Sequence, residues 1–426
     1  MLISFSIQNF GSIKDKQTLS FEADDSTHLE DYYVIKAGGM RLLKLALIYG
    51  ANASGKTTIL KALDFLRKLA LEPKSQKNET LDFQPFLFDD QTPHQSSILA
   101  IDFLQNDVRY FYEVEFTQQA VLREELYSYK TKKANVFKRT TDVDKQLSAI
   151  TFGSKIKINK TAEQILEANT LWNNTVLGGF LKTNFEFTEL EEINNWFTRN
   201  LVLNKEPSLA QIFPKVSPRN QNRIISILQR ADFNISHVHF RSEEEIENNI
   251  RTQLDNVRPL TPDEPFNITS IKLLGKTILE HTIQGKKYLL PMKLESEGTK
   301  KYSQLTPLLL GLIKTRFVML FDELESSLHP DLYIHFLLTF LVNAKSSQLI
   351  ATTHNREILN NRDLFRNDAI WFTQKNESGA TELYSLADFD TSVVRNTTNV
   401  YNAYKVGKLG GVPHLGDYYI DFDQED

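Results

Sequence analysis

Apolar positions along this chain fall into a few distinct patterns. Residues 2–7, 99–103 and 110–116 alternate apolar with polar, the period of a half-buried strand. Residues 42–49 (L-L-K-L-A-L-I-Y), 317–321 (F-V-M-L-F) and 348–351 (Q-L-I-A) are short apolar runs, as expected of strands covered on both faces. Residues 58–66 and 300–313 carry helical spacing, and Pro307 inside the second run predicts a kink or a split into two helices. Helical stretches are also expected near 162–177 and 189–203. A better-marked helix starts at Ser217 and Pro218, an N-cap residue followed by a residue tolerated at the first helical position, with Ile224, Ile225, Ile227 and Leu228 on one face. Heptads persist nowhere, so no long coiled coil is expected. The pattern predicts an α/β chain in three parts: a strand-rich lobe (1–120), a more polar α+β insertion (121–285) and a second lobe (286–426).

Composition changes this picture little. With 426 residues, 41% apolar and 24% charged, the chain reads as an ordinary globular protein of two or three domains. The net charge of -5 means that any nucleic-acid contact would need a local basic patch. One candidate is the stretch Lys130, Lys132, Lys133, Lys138, Arg139, Lys145, Lys155, Lys157 and Lys160, interleaved with Tyr127, Tyr129, Phe137 and Phe152. The residues alone leave two readings open: a nucleic-acid or partner surface, and the solvated rim of a β-hairpin whose charge Asp142 and Asp144 offset. Without cysteine there are no disulfides, Cys-zinc sites or Cys nucleophile. No apolar run is long enough to span a bilayer, and the first residues (M-L-I-S-F-S-I) lack a basic region before an apolar core. A cytoplasmic protein without a membrane partner is expected.

Candidate chemistry begins at residues 50–57, G-A-N-A-S-G-K-T, which fit the G-x-x-x-x-G-K-[ST] phosphate loop. An apolar strand precedes them and a helix follows, the context in which backbone N–H groups cradle phosphate. Gly50, Asn52, Ala53, Ser54, Gly55, Lys56, Thr57 and Thr58 are therefore the expected triphosphate-binding residues. Lys56 would reach the β- and γ-phosphates, and the Thr57 hydroxyl would hold Mg²⁺. The strand at 317–321 ends in Asp322 and Glu323, a Walker B pattern: Asp322 would hold the metal and Glu323 would polarise the attacking water. One strand further on, T-T-H-N places His354 where a neutral imidazole would bond the γ-phosphate and that water. In L-E-S-E-G-T, Ser296, Gly298 and Thr299 open a helix, the place for an anion.

In that order, with the N-terminal I-S-F-S-I-Q-N-F-G-S-I and the string F-D-E-L-E-S-S-L-H-P, these motifs resemble the ABC-type ATPase head of the SMC, RecF and OLD group. The resemblance is closer still to the fifteenth AAA-domain family, through I-W-F-T-Q-K, E-L-Y-S-L and Y-K-V-G-K-L-G-G-V-P near the C-terminus. It implies a P-loop NTPase head, a mixed sheet with helices, using ATP and Mg²⁺. It further implies that Ser296, Gly298 and Thr299 form a signature motif for the γ-phosphate held by another protomer, that 325–328 is the D-loop, and that His354 is the switch histidine. Gln84 is then the candidate Q-loop glutamine on Mg²⁺ and water, and Phe10 and Ser12 lie near the nucleotide. Two positions depart from the group. Gly11 stands where an Arg is usual, and Glu297 stands inside the signature, where an acid repels a triphosphate unless turned away. The resemblance also implies a homodimer or higher homo-oligomer closed by ATP. Its setting would be a bacterial anti-phage, abortive-infection system of the AbiL, RloB-associated or PARIS AriA-like kind. A DNA or phage-protein trigger and a separate effector, such as a RloB-like or Toprim-type nuclease, would complete that system. The alternative is a RecF- or SMC-like DNA-maintenance ATPase.

Overall fold

The computed structural model describes residues 1–203, 217–231, 233–240, 277–389 and 399–413. The chain divides into two compact units. One comprises Met1–Asn204, Arg316–Leu324 and Ser346–Asp426, and the other Lys205–Thr315 and Glu325–Lys345.

Two large sheets and a two-stranded hairpin build the first unit. The antiparallel one contains β1 (Leu2–Gln8), β2 (Gln17–Ser20), β6 (Ser97–Gln105), β7 (Val108–Phe116), β8 (Val121–Tyr129), β9 (Lys133–Asp142) and β10 (Leu147–Phe152), in the order β10-β9-β8-β7-β6-β1-β2. The lobe boundary expected after residue 120 falls inside this sheet. β7 and β8 pair from Arg109↔Tyr129 to Phe116↔Val121, and a tight turn closed by Thr117 N–H on the Ala120 carbonyl joins them. The change of texture there marks strands with one wet face. Part of the expected insertion (204–216, 232 and 241–276) lies outside the described residues.

The second sheet has the order β11-β15-β16-β5-β17-β18, from β5 (Leu45–Gly50), β11 (Leu201–Leu203), β15 (Val318–Phe321), β16 (Gln348–Thr352), β17 (Ile370–Lys375) and β18 (Thr381–Ser385). All pairs are parallel except β17 with β18. Every residue of β5, β15 and β16 is buried, which explains their apolar runs, while the polar ends of β16, Gln348 and Thr352, are hydrogen-bonded. The run at 42–49 divides at Lys44, because its first residues pair in a separate hairpin of β3 (Val34–Ala37) and β4 (Met40–Leu43). Parallel strands put their C-terminal ends on one edge, where ligands of open α/β sheets bind.

α1 (Glu30–Tyr33) is a single turn, whereas α2 (Lys56–Leu71) follows the phosphate loop and buries Ile59, Leu60, Leu63, Leu66 and Leu69 in the core shared with Phe5, Ile7 and Phe103. The helix expected near 162–177 is two, α3 (Lys160–Asn169) and α4 (Val176–Phe180). Thr170 folds its hydroxyl back on the Leu166 carbonyl, and Thr175 caps α4 by accepting from Gly178 N–H. The stretch expected to be helical to 203 starts as α5 (Thr188–Asn195), continues as a π-helical turn over Trp196–Asn200, and leaves helix only at β11, because Leu201–Leu203 pairs with β15.

In the second unit α6 (Pro218–Arg230) starts at the predicted cap and buries Ile224, Ile225, Ile227 and Leu228. β12 (Ile235–Phe240), β13 (Thr277–Ile283) and β14 (Lys286–Pro291) form an antiparallel sheet. α7 (Glu297–Lys314) runs unbroken through Pro307, contrary to a split. Burial of Leu305, Thr306, Pro307, Leu309 and Leu310 holds the two turns together across the missing N–H. α8 (Pro330–Asn343) follows, and α9 (Val400–Lys405) belongs to the first unit. At 18 residues α7 is the longest helix among the described residues. None of these helices is long and apolar enough to cross a membrane.

Inside the antiparallel sheet lies a charged group that the sequence placed on the surface. Arg139 is fully buried and donates to the carbonyls of Val121 and Trp172, the latter at 3.0 Å. Glu124, also fully buried, accepts from Tyr112 Oη at 2.7 Å and from Val176 N–H at 2.7 Å. Together they pin the chain before α4 to the sheet. Burial pushes the Glu124 carboxyl up to about 7, against the pull of Arg139. A folded state that binds the proton more tightly than the unfolded one loses stability as pH rises from the ordinary carboxylate range through 7. Urea unfolding of the wild type and Glu124→Gln at pH 5 and pH 7.5 should show the wild type losing ground to the variant by roughly 2 kcal/mol. A difference that does not change with pH would show that Glu124 titrates normally.

Candidate functional site

β5 ends at Gly50, residues 51–55 turn, and α2 begins at Lys56. Neither glycine has room for a side chain. A Cβ on Gly50 would stand 2.3 Å from Thr373 Oγ1 and 2.4 Å from Ser54 Oγ, and one on Gly55 would stand 2.2 Å from Thr381 Oγ1. Gly55 also takes a left-handed φ of 106°. Lys56 is buried, its amine donating to the carbonyls of Gly50 at 3.0 Å and Ala51 at 3.1 Å, so its charge sits within the loop. Asn52 and Ala53 are exposed on the loop, and Thr58 lies beside Ser12.

Across the edge of the sheet, Thr57 Oγ1 donates to the Asp322 carboxylate, at 2.9 and 3.2 Å from its two oxygens. Thr352, at the end of the intervening strand β16, donates its hydroxyl to the same carboxylate at 2.6 Å and accepts from Glu323 N–H at 2.8 Å. Glu323 has a left-handed φ of 50°, an uncommon conformation for a residue with a side chain. Its carboxylate is 59% exposed, 4.0 Å from His354 Nε2. The structure thus brings Thr57, Asp322, Glu323 and His354 together. Thr352 escaped the sequence reading, although it stands in the T-T-H-N string and a strand-terminal hydroxyl beside an acidic pair was the available signal.

The Gln84 carbonyl accepts from Gly11 N–H at 2.7 Å, and its exposed side chain borders a cavity of about 610 Å³ with Phe10, Gly11, Thr58 and Lys61. Gly11 itself has φ 56°, and a Cβ there would meet the Thr58 methyl at 2.9 Å. That contact accounts for glycine where an Arg is usual.

The signature residues lie in the second unit. Ser296 caps α7, its oxygen accepting from Thr299 N–H at 3.1 Å and lying 2.8 Å from Thr299 Oγ1. A Cβ on Gly298 would make only ordinary contact, 3.5 Å from the Ser327 carbonyl. The Glu297 carboxylate is largely exposed and pairs with Lys300 at 2.7 Å, which offsets the charge that the signature would otherwise present. Residues 325–328 form a turn closed by Leu328 N–H on the Glu325 carbonyl, with Ser327 at φ 63°.

Chemically, the first unit offers a helix N-terminus with a buried lysine for phosphate oxygens. It adds a hydroxyl and a carboxylate in contact, the hard oxygen donors that Mg²⁺ takes together with substrate phosphates. The residues present fit a magnesium nucleotide. A phosphate loop after β5, with the acidic pair two strands away on the same sheet edge, is the α/β fold of a P-loop ATPase head.

Among solved structures the chain is similar to an SMC head domain from Thermotoga maritima, at 14% identity and a TM-score of 0.41, covering 90% of this chain and 98% of that one. It is similar also to an Smc head bound to the C-winged helix domain of ScpA (14% identity, 90% and 97% covered, TM-score 0.42). A third is an Smc head domain with an extended coiled coil bound to the C-terminal domain of ScpA from Pyrococcus furiosus (12%, 96% and 98%, TM-score 0.37). No curated protein matches. One family matches residues 45–360, described as "AAA domain, putative AbiEii toxin, Type IV TA system", whereas the motif order resembled most closely the fifteenth AAA-domain family. That match takes in the phosphate loop, the signature residues, the acidic pair and His354, and so the chain belongs to this AbiEii-toxin-like family of AAA-domain P-loop ATPases.

Proposed function

We propose that this chain binds Mg²⁺·ATP, hydrolyses it between two protomers, and serves as the nucleotide-driven switch of an abortive-infection system with a separate effector. The observation that carries the ATPase reading is the run of bonds from Thr57 to Asp322, Thr352 and Glu323, which ends at a carboxylate facing His354. In this reading loop amides and Lys56 hold the phosphates, Thr57 and Asp322 hold Mg²⁺, and Glu323 with His354 orients water. Ser296, Gly298 and Thr299 would take the γ-phosphate of a partner protomer's ATP, so that closure depends on the triphosphate. The family description is compatible with a defence role, and the family fits a DNA-maintenance ATPase equally well. The effector would be a nuclease of the RloB-like or Toprim type, and the trigger DNA or a phage protein.

The DNA-maintenance reading rests on the lysine-rich stretch. Several of its charges are engaged locally: Lys138 with Glu125 at 3.3 Å, Lys145 with Asp142 at 2.9 Å, and Lys130 with Glu189 at 3.6 Å. Lys132 and Lys133 remain exposed, with the Lys133 amine 4.2 Å from the centre of the Tyr127 ring.

Calorimetric titration of Lys56→Ala should show no ATP binding, and wild-type affinity in that variant refutes the phosphate loop. Glu323→Gln should bind ATP, turn over roughly a hundredfold slower or worse, and accumulate as a closed dimer. Light scattering with and without ATP reads this directly: if its mass does not change and the protein is monomeric throughout, the two-protomer site is wrong. Lys132→Glu with Lys133→Glu should leave DNA binding and its salt dependence unchanged if the hairpin is only a solvated rim; a weaker, less salt-dependent complex would favour DNA maintenance.

A further inference from the structure

Three hydroxyl side chains surround the phosphate loop, and neither Thr373 nor Thr381 has a role in the readings above, whereas Ser12 was expected only to lie near the nucleotide. They come from three separate places in the first unit: Ser12 from the β1–β2 connection, Thr373 from β17 and Thr381 from β18. Thr373 and Thr381 are fully buried. Thr373 Oγ1 donates to the Tyr49 carbonyl at 3.2 Å and lies 2.6 Å from Ser54 Oγ. Thr381 Oγ1 donates to the Ser54 carbonyl at 2.8 Å and lies 2.8 Å from Ser12 Oγ, which lies 3.1 Å from Thr58 Oγ1.

Each hydroxyl has one proton, and that fixes the direction of every bond. Thr373 spends its proton on Tyr49, so Ser54 donates to Thr373. Thr381 spends its proton on the Ser54 carbonyl, so Ser12 donates to Thr381 and Thr58 donates to Ser12. Ser54 is thereby held twice, by its side chain and by its carbonyl. The second hold determines the loop's chemistry. In a planar trans peptide the C=O and the following N–H point in opposite directions. Drawing the Ser54 carbonyl out toward Thr381 turns the Gly55 N–H away from Thr381. Gly55, at φ 106° and with no Cβ, is the residue about which that peptide would otherwise turn over most easily.

We propose that Thr381, supported by Ser12 and with Thr373 as the second anchor, is a positioning residue that aims the Gly55 N–H at the nucleotide's phosphates. The inference rests on the reading of residues 50–57 as an ATP site. It acts by preorganisation: the donor is set before the phosphate arrives, so its orientation costs nothing on binding. Thr381 touches neither Asp322, Glu323 nor His354, so its loss shows in affinity and not in turnover.

The test is Thr381→Val, nearly isosteric but without the donor, beside Thr381→Ser, which keeps it. ADP binding by calorimetry and ATPase kinetics would be measured on both, after thermal unfolding without nucleotide. For Thr381→Val the Kd for ADP and the KM for ATP should rise roughly three- to tenfold, the size of one hydrogen bond. Its kcat should stay within about twofold, and Thr381→Ser should bind within about twofold of wild type. If Thr381→Val does not fold, Thr373→Val asks the same of the other anchor, and a raised Kd is again expected. Wild-type affinity in the folded valine variant, equal losses in the serine and valine variants, or a fall in kcat alone would each overturn the proposal. Lys56→Ala separates the two failures: if it abolishes binding while Thr381→Val binds normally, the ATP site stands and the positioning role falls.

Discussion

The contact between the Thr57 hydroxyl and the Asp322 carboxylate depends on strand register more than on either residue. β16 stands between β5, which leads into the loop before Thr57, and β15, which Asp322 follows, and it pairs Thr352 with Ile48 on one side and Ala351 with Phe321 on the other. That register brings the Thr352 hydroxyl to the Asp322 carboxylate, with Glu323 N–H on the same oxygen. A slip of one residue would turn every β16 side chain to the opposite face and put Ala351 or Thr353 in its place. Burial of every residue of β5, β15 and β16 resists such a slip, and the buried Gln348 at the start of β16 is fixed by its bonds to the Leu2 and Leu43 backbone. The site is therefore held by the core beneath it.

Glu323 shows what that rigidity permits. A left-handed conformation disfavours a residue with a Cβ by about 1–2 kcal/mol, and it is kept only where neighbours over-determine it. Here its N–H is bonded to Thr352 Oγ1, and the next residue, Leu324, donates its N–H to the Thr352 carbonyl at 3.2 Å. One threonine thus fixes two successive peptides of the turn after β15. The result is a carboxylate that leaves the sheet edge beside His354 while Asp322, one residue earlier, stays tied to Thr57.

What could be read from the sequence was whatever depends on local spacing. Gly50, Gly55, Lys56 and Thr57 lie within eight residues, and the acidic pair ends an apolar run, so both were visible. The roles of Thr352, Thr373 and Thr381 were not, because a threonine at a strand end is ordinary and its partner lies far along the chain; Thr381 meets Ser12, which the resemblance put near the nucleotide, across 369 positions. Long-range pairing also explains the other differences. Leu201–Leu203 leaves helix because β15 offers it a ladder, and Arg139 looked like one of a run of surface cations because nothing local reveals that Val121 and Trp172 receive it. α7 survives Pro307 because packing outweighs one missing donor. Gln84 was named by resemblance, and its side chain borders the cavity beside Phe10, Gly11 and Thr58.

The second unit bears on whether a helix cap can also serve as a ligand site. Ser296 accepts from Thr299 N–H, which occupies a lone pair on its oxygen. Its proton is a separate resource, and the Thr299 hydroxyl 2.8 Å away either receives that proton or supplies its own. If Thr299 supplies it, the Ser296 proton is left for an incoming phosphate oxygen while the cap stays intact. Capping and anion binding then do not compete, and the α7 N-terminus keeps its geometry with or without the anion. Glu297 fits the same logic. Its carboxylate is already 2.7 Å from Lys300, so the charge next to the cap is compensated within the first turn. If the α7 N-terminus takes a phosphate, as proposed, an acid beside it is tolerable on those terms, because the repulsion it would exert is met by a cation three residues along the same helix.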